Sequence, residues 1–250
     1  RGLELHGGDG DCRVAVVFTG PDAAALEAAI TPNTVGFLVE PIQGEAGVIV
    51  PPEGYLREVR SICTEHNVVL ILDEIQCGFG RTGTFCAHES YRIVPDMMAA
   101  AKPIAAGLPL GAVLLNDKVA EQIKPGDHGT TFGGGPLATA VALDVLQRII
   151  EPEFLRQVGE KGDYFRQKLD DLMIKFDAII AVRNRGLMLA IELSIEPKSL
   201  IQACAEEGLL ICKTGGPAVR FLPPLNISRE LIDQGVEKLA RALARMGEKH

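Results

Sequence analysis

The clearest pattern in the chain is a series of short apolar runs, each ending on a charged residue. Residues 35–39 end in Glu40, residues 68–72 end in Asp73 and Glu74, and residues 97–101 end in Lys102. Runs of this length and type predict buried strands, and residues 111–115 predict another. Segments 21–30, 52–65 and 117–123 predict helices between them. The first has Asp22 near its start, and the second carries Leu56, Val59 and Cys63 at helical spacing. A glycine-rich run (Gly7, Gly8, Gly10) leads into a further strand at 14–18. Strand–helix alternation predicts a mainly parallel sheet. In open α/β sheets ligands bind at the carboxyl ends of the strands, where the acids and the lysine stand.

Beyond residue 135 the pattern changes. Residues 136–150 form a helix that is apolar nearly all round, so it is expected between packed layers. A long amphipathic helix at 153–175 follows as a spacer. Strands are expected at 179–182, 187–193, 209–212 and 219–222, with helices at 198–207 (stopped at Gly208) and 229–246. The expected division is residues 1–150, part of a large α/β domain, and 151–250, the linking helix and a small C-terminal α+β domain.

Three stretches carry candidate chemistry. A carboxylate at a strand end is costly to bury alone, and a desolvated lysine tends to lose its proton. A neutral amine forms an imine with an aldehyde, and a fixed aspartate suits a pyridinium nitrogen. Lys102 and Asp73 together therefore suit pyridoxal 5'-phosphate (PLP); the plainer alternative is an Asp73–Lys102 ion pair. Gly78, Gly80 and Gly83 match G-x-G-x-x-G, but no helix pattern follows, so they are read as shaping a loop near a ligand rather than as a dinucleotide site. Thr130 and Thr131, in a glycine-rich loop before a helix, suit a phosphate or simply turn the chain. Arg220, in an apolar strand before Pro223 and Pro224, suits a carboxylate fork or a structural pair.

Composition narrows the classes. The chain has 250 residues and a net charge of −8, from 25 basic against 33 acidic residues, which argues against nucleic acid as a partner. No apolar run reaches membrane-spanning length, and the start has no signal-peptide pattern. The six cysteines are scattered without a CxxC pair, so neither a zinc site nor a disulfide framework is expected; a reducing, cytoplasmic setting fits.

Taken together, Glu40-Pro-Ile-Gln-Gly-Glu45, Leu72-Asp-Glu-Ile-Gln-Cys-Gly-Phe-Gly-Arg-Thr-Gly83, Ala101-Lys-Pro103 with Gly107-Leu-Pro-Leu-Gly111, His128-Gly-Thr-Thr-Phe-Gly-Gly134 and Arg220-Phe-Leu-Pro-Pro224 resemble the class III PLP-dependent aminotransferases, most of all their acetylornithine/ornithine branch. The resemblance implies the type I fold of PLP enzymes and transfer of an amino group from N-acetylornithine or ornithine to 2-oxoglutarate, in arginine and ornithine metabolism. 4-Aminobutyrate and other ω-amino donors stand behind these. It implies that Lys102 binds the cofactor aldehyde and shuttles the substrate proton, and that Asp73 holds the ring nitrogen protonated. Gln76 would bond near the phenolic oxygen, and Ile75 would pack on the ring. Thr131, with Thr130 beside it, would reach the cofactor phosphate of the other subunit in a homodimer. Arg220 would bind a substrate α-carboxylate, Glu45 would gate that arginine, and Glu40 would line the pocket. A pair that opens and closes lets cationic or acylated donors and dicarboxylate acceptors each meet a compensated charge.

The sequence departs from the family at Cys77, at Ala105 and Ala106, and at Gly135. The family's N-terminal portion, with its phosphate loop and stacking aromatic residue, is not matched here. The chain is therefore expected to be a fragment of a longer product, one half of a split enzyme, or a non-catalytic remnant acting as a binding module.

Overall fold

A computed structural model describes residues 13–15 and 21–247. The glycine-rich start and residues 16–18 of the first expected strand lie outside the described residues.

The chain divides into two compact units. The first takes in residues up to Pro41, with Pro51–Phe79 and Cys86–Ile149; the second comprises Ile42–Val50, Gly80–Phe85 and the chain from Ile150. The chain passes from the first unit to the second after Ile149, and two short loops from the first half also lie in the second unit.

In the first unit β1 (Arg13–Ala15), β2 (Thr34–Val39), β3 (Val69–Asp73), β4 (Met97–Ala100) and β5 (Ala112–Leu115) form one sheet in that order. The first four are parallel and β5 runs antiparallel to β4. The expected α/β architecture and mainly parallel sheet are therefore found. Helix α1 (Ala23–Ala29) begins where Asp22 Oδ1 accepts from the amides of Ala24 (3.0 Å) and Ala25 (3.3 Å), satisfying donors that a helix start leaves open. Helix α2 (Tyr55–Glu65) starts later than expected because Gly54 takes a left-handed conformation at its N-cap. Leu26, Phe37, Leu56, Val59, Leu70 and Leu72 close the core between these helices and the sheet. Helix α3 is short (Asp117–Ala120).

Asp96 is a hub at the amino end of β4. Its carboxylate accepts from the Leu70 amide (2.8 Å), Arg60 Nη1 (2.8 Å) and Asn116 Nδ2 (2.9 Å), tying β3, α2 and the end of β5 together. Burial alone would raise its pKa, but these three donors outweigh it and hold the carboxyl below its usual value. A depressed folded pKa stabilises fully above the unfolded value, and that contribution is lost as pH falls through the folded one. Asp96→Asn should therefore cost about 2 kcal/mol near neutral pH, the scale of a charged hydrogen bond. The difference from wild type should vanish in acid, as denaturation at a series of pH values would show.

Helix α4 (Pro136–Ile149) corrects one expectation. It is not enclosed between layers in this chain: only Ala142 and Ile149 are buried, while Leu137 is 72% and Leu143 60% exposed. The described elements cover one side of a helix that is apolar on more than one.

The second unit begins with α5 (Pro152–Lys175). β6 (Ile179–Arg185), β7 (Met188–Leu193), β8 (Cys212–Lys213) and β9 (Ala218–Phe221) form an antiparallel sheet in the order β6-β7-β9-β8. Helices α6 (Pro197–Glu206) and α7 (Arg229–Gly247) complete an α+β unit of the expected kind. Strand β8 is shorter than expected, and Leu210 before it stands 89% exposed. Helix α5 lies against the β6–β7 turn so closely that a Cβ at Gly162 would sit 2.2 Å from the Gly186 carbonyl oxygen. Val158, Phe165, Leu169, Ile191, Leu200 and Leu239 are among its core residues, with Phe165 meeting Phe221 edge to face at 5.4 Å. Among the described residues no helix is long and apolar enough to cross a membrane.

Candidate active site

In the first unit three parallel strands end side by side. Val39 pairs with Leu72, and Asp73 pairs with Ala99. The residues that follow or close these strands are Glu40, Asp73 and Lys102, so the chemistry-bearing groups stand at the carboxyl edge of adjacent strands, whose neighbours lie about 4.8 Å apart. Asp73 is half-buried, and its Oδ1 accepts from the Ile75 amide at 3.0 Å, which fixes its rotamer. Asp73 and Lys102 make no ion pair with each other, so the plainer structural reading of that couple is not what the geometry shows. Lys102 is exposed in this chain. The burial expected at this position is not supplied by the described residues.

The turn after β3 is held from beneath by a residue the sequence reading passed over. Glu74 is fully buried. Its carboxylate accepts from the amides of Ala87 (2.6 Å) and His88 (2.9 Å) and lies 2.6 Å from His88 Nδ1. Its own amide donates to the Ala99 carbonyl at 2.9 Å, one step beyond Asp73. Gly78 must lack a side chain here, because a Cβ would come within 2.8 Å of the Glu74 carbonyl oxygen and Oε2. Gly80 and Gly83 take left-handed backbone (φ 83° and 86°), so each glycine of the motif has a local reason to be one. Glu74, Cys86 and His88 offer ligand atoms within 4.8 Å of one another. Both Glu74 oxygens are already engaged, by the two amides and the His88 ring, and burial, reinforced by Glu74 and Glu89, pushes the Cys86 thiol up to about 12. The cluster is a hydrogen-bonded anchor.

Ile75 and Gln76, the remaining predicted cofactor residues on this turn, are half-buried directly after Asp73. Thr130 and Thr131 are exposed in the loop before α4, and Thr130 Oγ1 accepts from the Gly133 amide at 3.1 Å, so this hydroxyl at least turns the chain.

In the second unit Arg220 Nη2 meets Glu45 Oε1 at 2.6 Å. The arginine side chain is 10% exposed and the glutamate 60%. The loop carrying Glu45 is docked through its backbone: the Gly215 amide donates to Glu45 O at 2.7 Å, and Arg183 Nε to Gly47 O at 2.8 Å. The guanidinium is buried while its partner reaches solvent, so opening the pair costs little at the glutamate and leaves the arginine in need of another anion. The expected Arg220–Glu45 couple is thus formed by residues 175 positions apart.

The family model for class III aminotransferases matches residues 19–243. The chain belongs to that family. Among its curated relatives, the acetylornithine aminotransferase of Methanocaldococcus jannaschii is 43% identical over 221 residues, 87% of this chain and 55% of the relative. The ornithine aminotransferase of Bordetella pertussis is 46% identical over 227 residues, 89% of this chain and 54% of the relative. A crystal structure of the Toxoplasma gondii ornithine aminotransferase, with PLP at partial occupancy in its active site, superposes with a TM-score of 0.86 at 36% identity, covering 92% of this chain and 55% of that one. The class III fold therefore extends over nearly all of the described chain. The chain spans about half the length of the curated relatives it matches.

Proposed function

We propose that the protein containing this chain is a PLP-dependent aminotransferase acting on N-acetylornithine or ornithine, with 2-oxoglutarate as acceptor. The observation that carries the reading is the placing of Asp73 and Lys102 at the carboxyl ends of adjacent parallel strands, unpaired with each other, in a class III chain. The donor set fits the cofactor: an amine for its aldehyde, and a carboxylate already oriented by its own turn for its pyridinium nitrogen. When bound, that group supplies an electron sink for charge developing at the substrate carbon.

Lys102, close to that carbon, would take its proton as a general base and return one as a general acid. Asp73 would hold positive charge at the ring nitrogen through a charge-assisted hydrogen bond. Ile75 and Gln76 would line the ring, with Glu40 at the end of the neighbouring strand. Arg220 would bind a carboxylate of the substrate after Glu45 swings to solvent. Relatives named for acetylornithine and for ornithine match at similar identity, which supports naming both compounds as alternative donors.

We further propose a homodimer in which Thr130 and Thr131 reach the cofactor phosphate of the second copy. Phe132 (90% exposed), Leu137 and Leu143 form the kind of exposed apolar surface that marks an interface.

Glutamate formation from 2-oxoglutarate by the full-length enzyme, with each donor in turn, tests the activity; no transfer from either donor would overturn it. Arg220→Met should raise the KM for 2-oxoglutarate by about 30-fold, the equivalent of about 2 kcal/mol lost from a buried charge pair.

A further inference from the structure

Arg81 lies outside every role assigned so far, yet it is half-buried, with its guanidinium pushed down to about 10 by burial. Its Nη1 donates to two backbone carbonyls, Leu187 O at 3.0 Å and Pro223 O at 2.6 Å, and its own carbonyl accepts from the Leu187 amide at 3.0 Å.

The register of the β7–β9 ladder explains why a side chain is needed there. Leu189 faces Phe221, Ala190 faces Arg220 and Ile191 faces Val219. Continuing the register one way places Leu193 opposite Pro217, and the Leu193 amide does donate to Pro217 O at 2.8 Å. In an antiparallel pair such hydrogen-bonded positions recur at every second residue. Continuing the other way therefore places Leu187 opposite Pro223 at a hydrogen-bonded position. Pro223 has no N–H to give Leu187, and the Leu187 amide is turned to Arg81. The guanidinium supplies the missing donor to Leu187 O and occupies Pro223 O as well.

We infer that Arg81 is a positioning residue for Arg220: it completes the β7–β9 ladder where proline interrupts it, and so fixes the end of the strand that aims the carboxylate-binding guanidinium. Arg220 stands three residues before Pro223 on the strand that this bond terminates. The functional half of the inference rests on the carboxylate role proposed for Arg220; the ladder half does not.

Hydrogen exchange and kinetics on the full-length holoenzyme test both halves. Arg81→Met should speed amide exchange across residues 218–222 and raise the KM for 2-oxoglutarate about tenfold, with the KM for the amino donor changed less than about twofold. Adding Pro223→Ala, which restores a backbone donor opposite Leu187, should recover part of both effects; a merely destabilised enzyme would show no such rescue. If Arg81→Met does not accumulate, Arg81→Lys, which keeps the charge but not the fork, is read in the same way. Unchanged exchange overturns the inference. So does faster exchange with an unmoved acceptor KM in an enzyme whose Arg220→Met variant does show the acceptor defect. If Arg220→Met itself leaves that KM unchanged, the carboxylate role falls, and faster exchange with rescue by Pro223→Ala still supports the ladder half.

Discussion

Lys102→Ala in the full-length enzyme should lower the turnover of amino transfer by about 10⁴-fold or more, because one side chain is asked both to hold the cofactor covalently and to move the substrate proton. Proton transfer by a positioned group alone accounts for a factor of about 10²–10⁴. The loss should appear in turnover with little change in unfolding midpoint, since Lys102 is exposed and stands outside the core. Steady-state kinetics beside a denaturation curve would check both. A variant keeping more than about a tenth of the wild-type rate would remove Lys102 from the centre of the reaction.

The second large effect is one of stability. Glu74→Leu should cost about 3–5 kcal/mol, the scale for breaking a buried charged network by deleting one partner. The leucine would leave the amides of Ala87 and His88 without their acceptor and would press its branched end against Gly78. Glu74→Gln should cost less, because one oxygen still accepts while the amide nitrogen faces a donor. Denaturant unfolding of both variants would test the order; equal stability of Glu74→Leu and wild type would show that the buried carboxylate is not an anchor. The activity of Glu74→Gln should fall too, since this anchor holds the turn from which Asp73 projects.

Much of this was legible in the sequence for a simple reason. A buried parallel strand is a short apolar run, and its end is marked by the first charge that cannot be buried, which is how Glu40, Asp73 and Lys102 announced the edge of the sheet. Arg220 stood out on the same logic, as a charge in the middle of an apolar strand. Glu74 and Arg81 did not, because what they bind is mainly backbone: amides of Ala87 and His88, beside the His88 ring, in one case, carbonyls of Leu187 and Pro223 in the other. Any residue supplies such groups, so no pattern of residue types reveals them. The same applies to the loops at 42–50 and 80–85, assigned to the second unit by backbone bonds such as Gly215 to Glu45 and Leu187 to Arg81. Helix α4 was misjudged because an apolar surface says only that something covers it, whether the same chain or another.

Reduction of the PLP-loaded full-length enzyme with borohydride, followed by peptide mapping, tests the central claim most directly. A pyridoxyl group on the peptide carrying Lys102, lost in Lys102→Ala and weakened in Asp73→Ala, is the expected result. Attachment to a different lysine, or none to any, would contradict it.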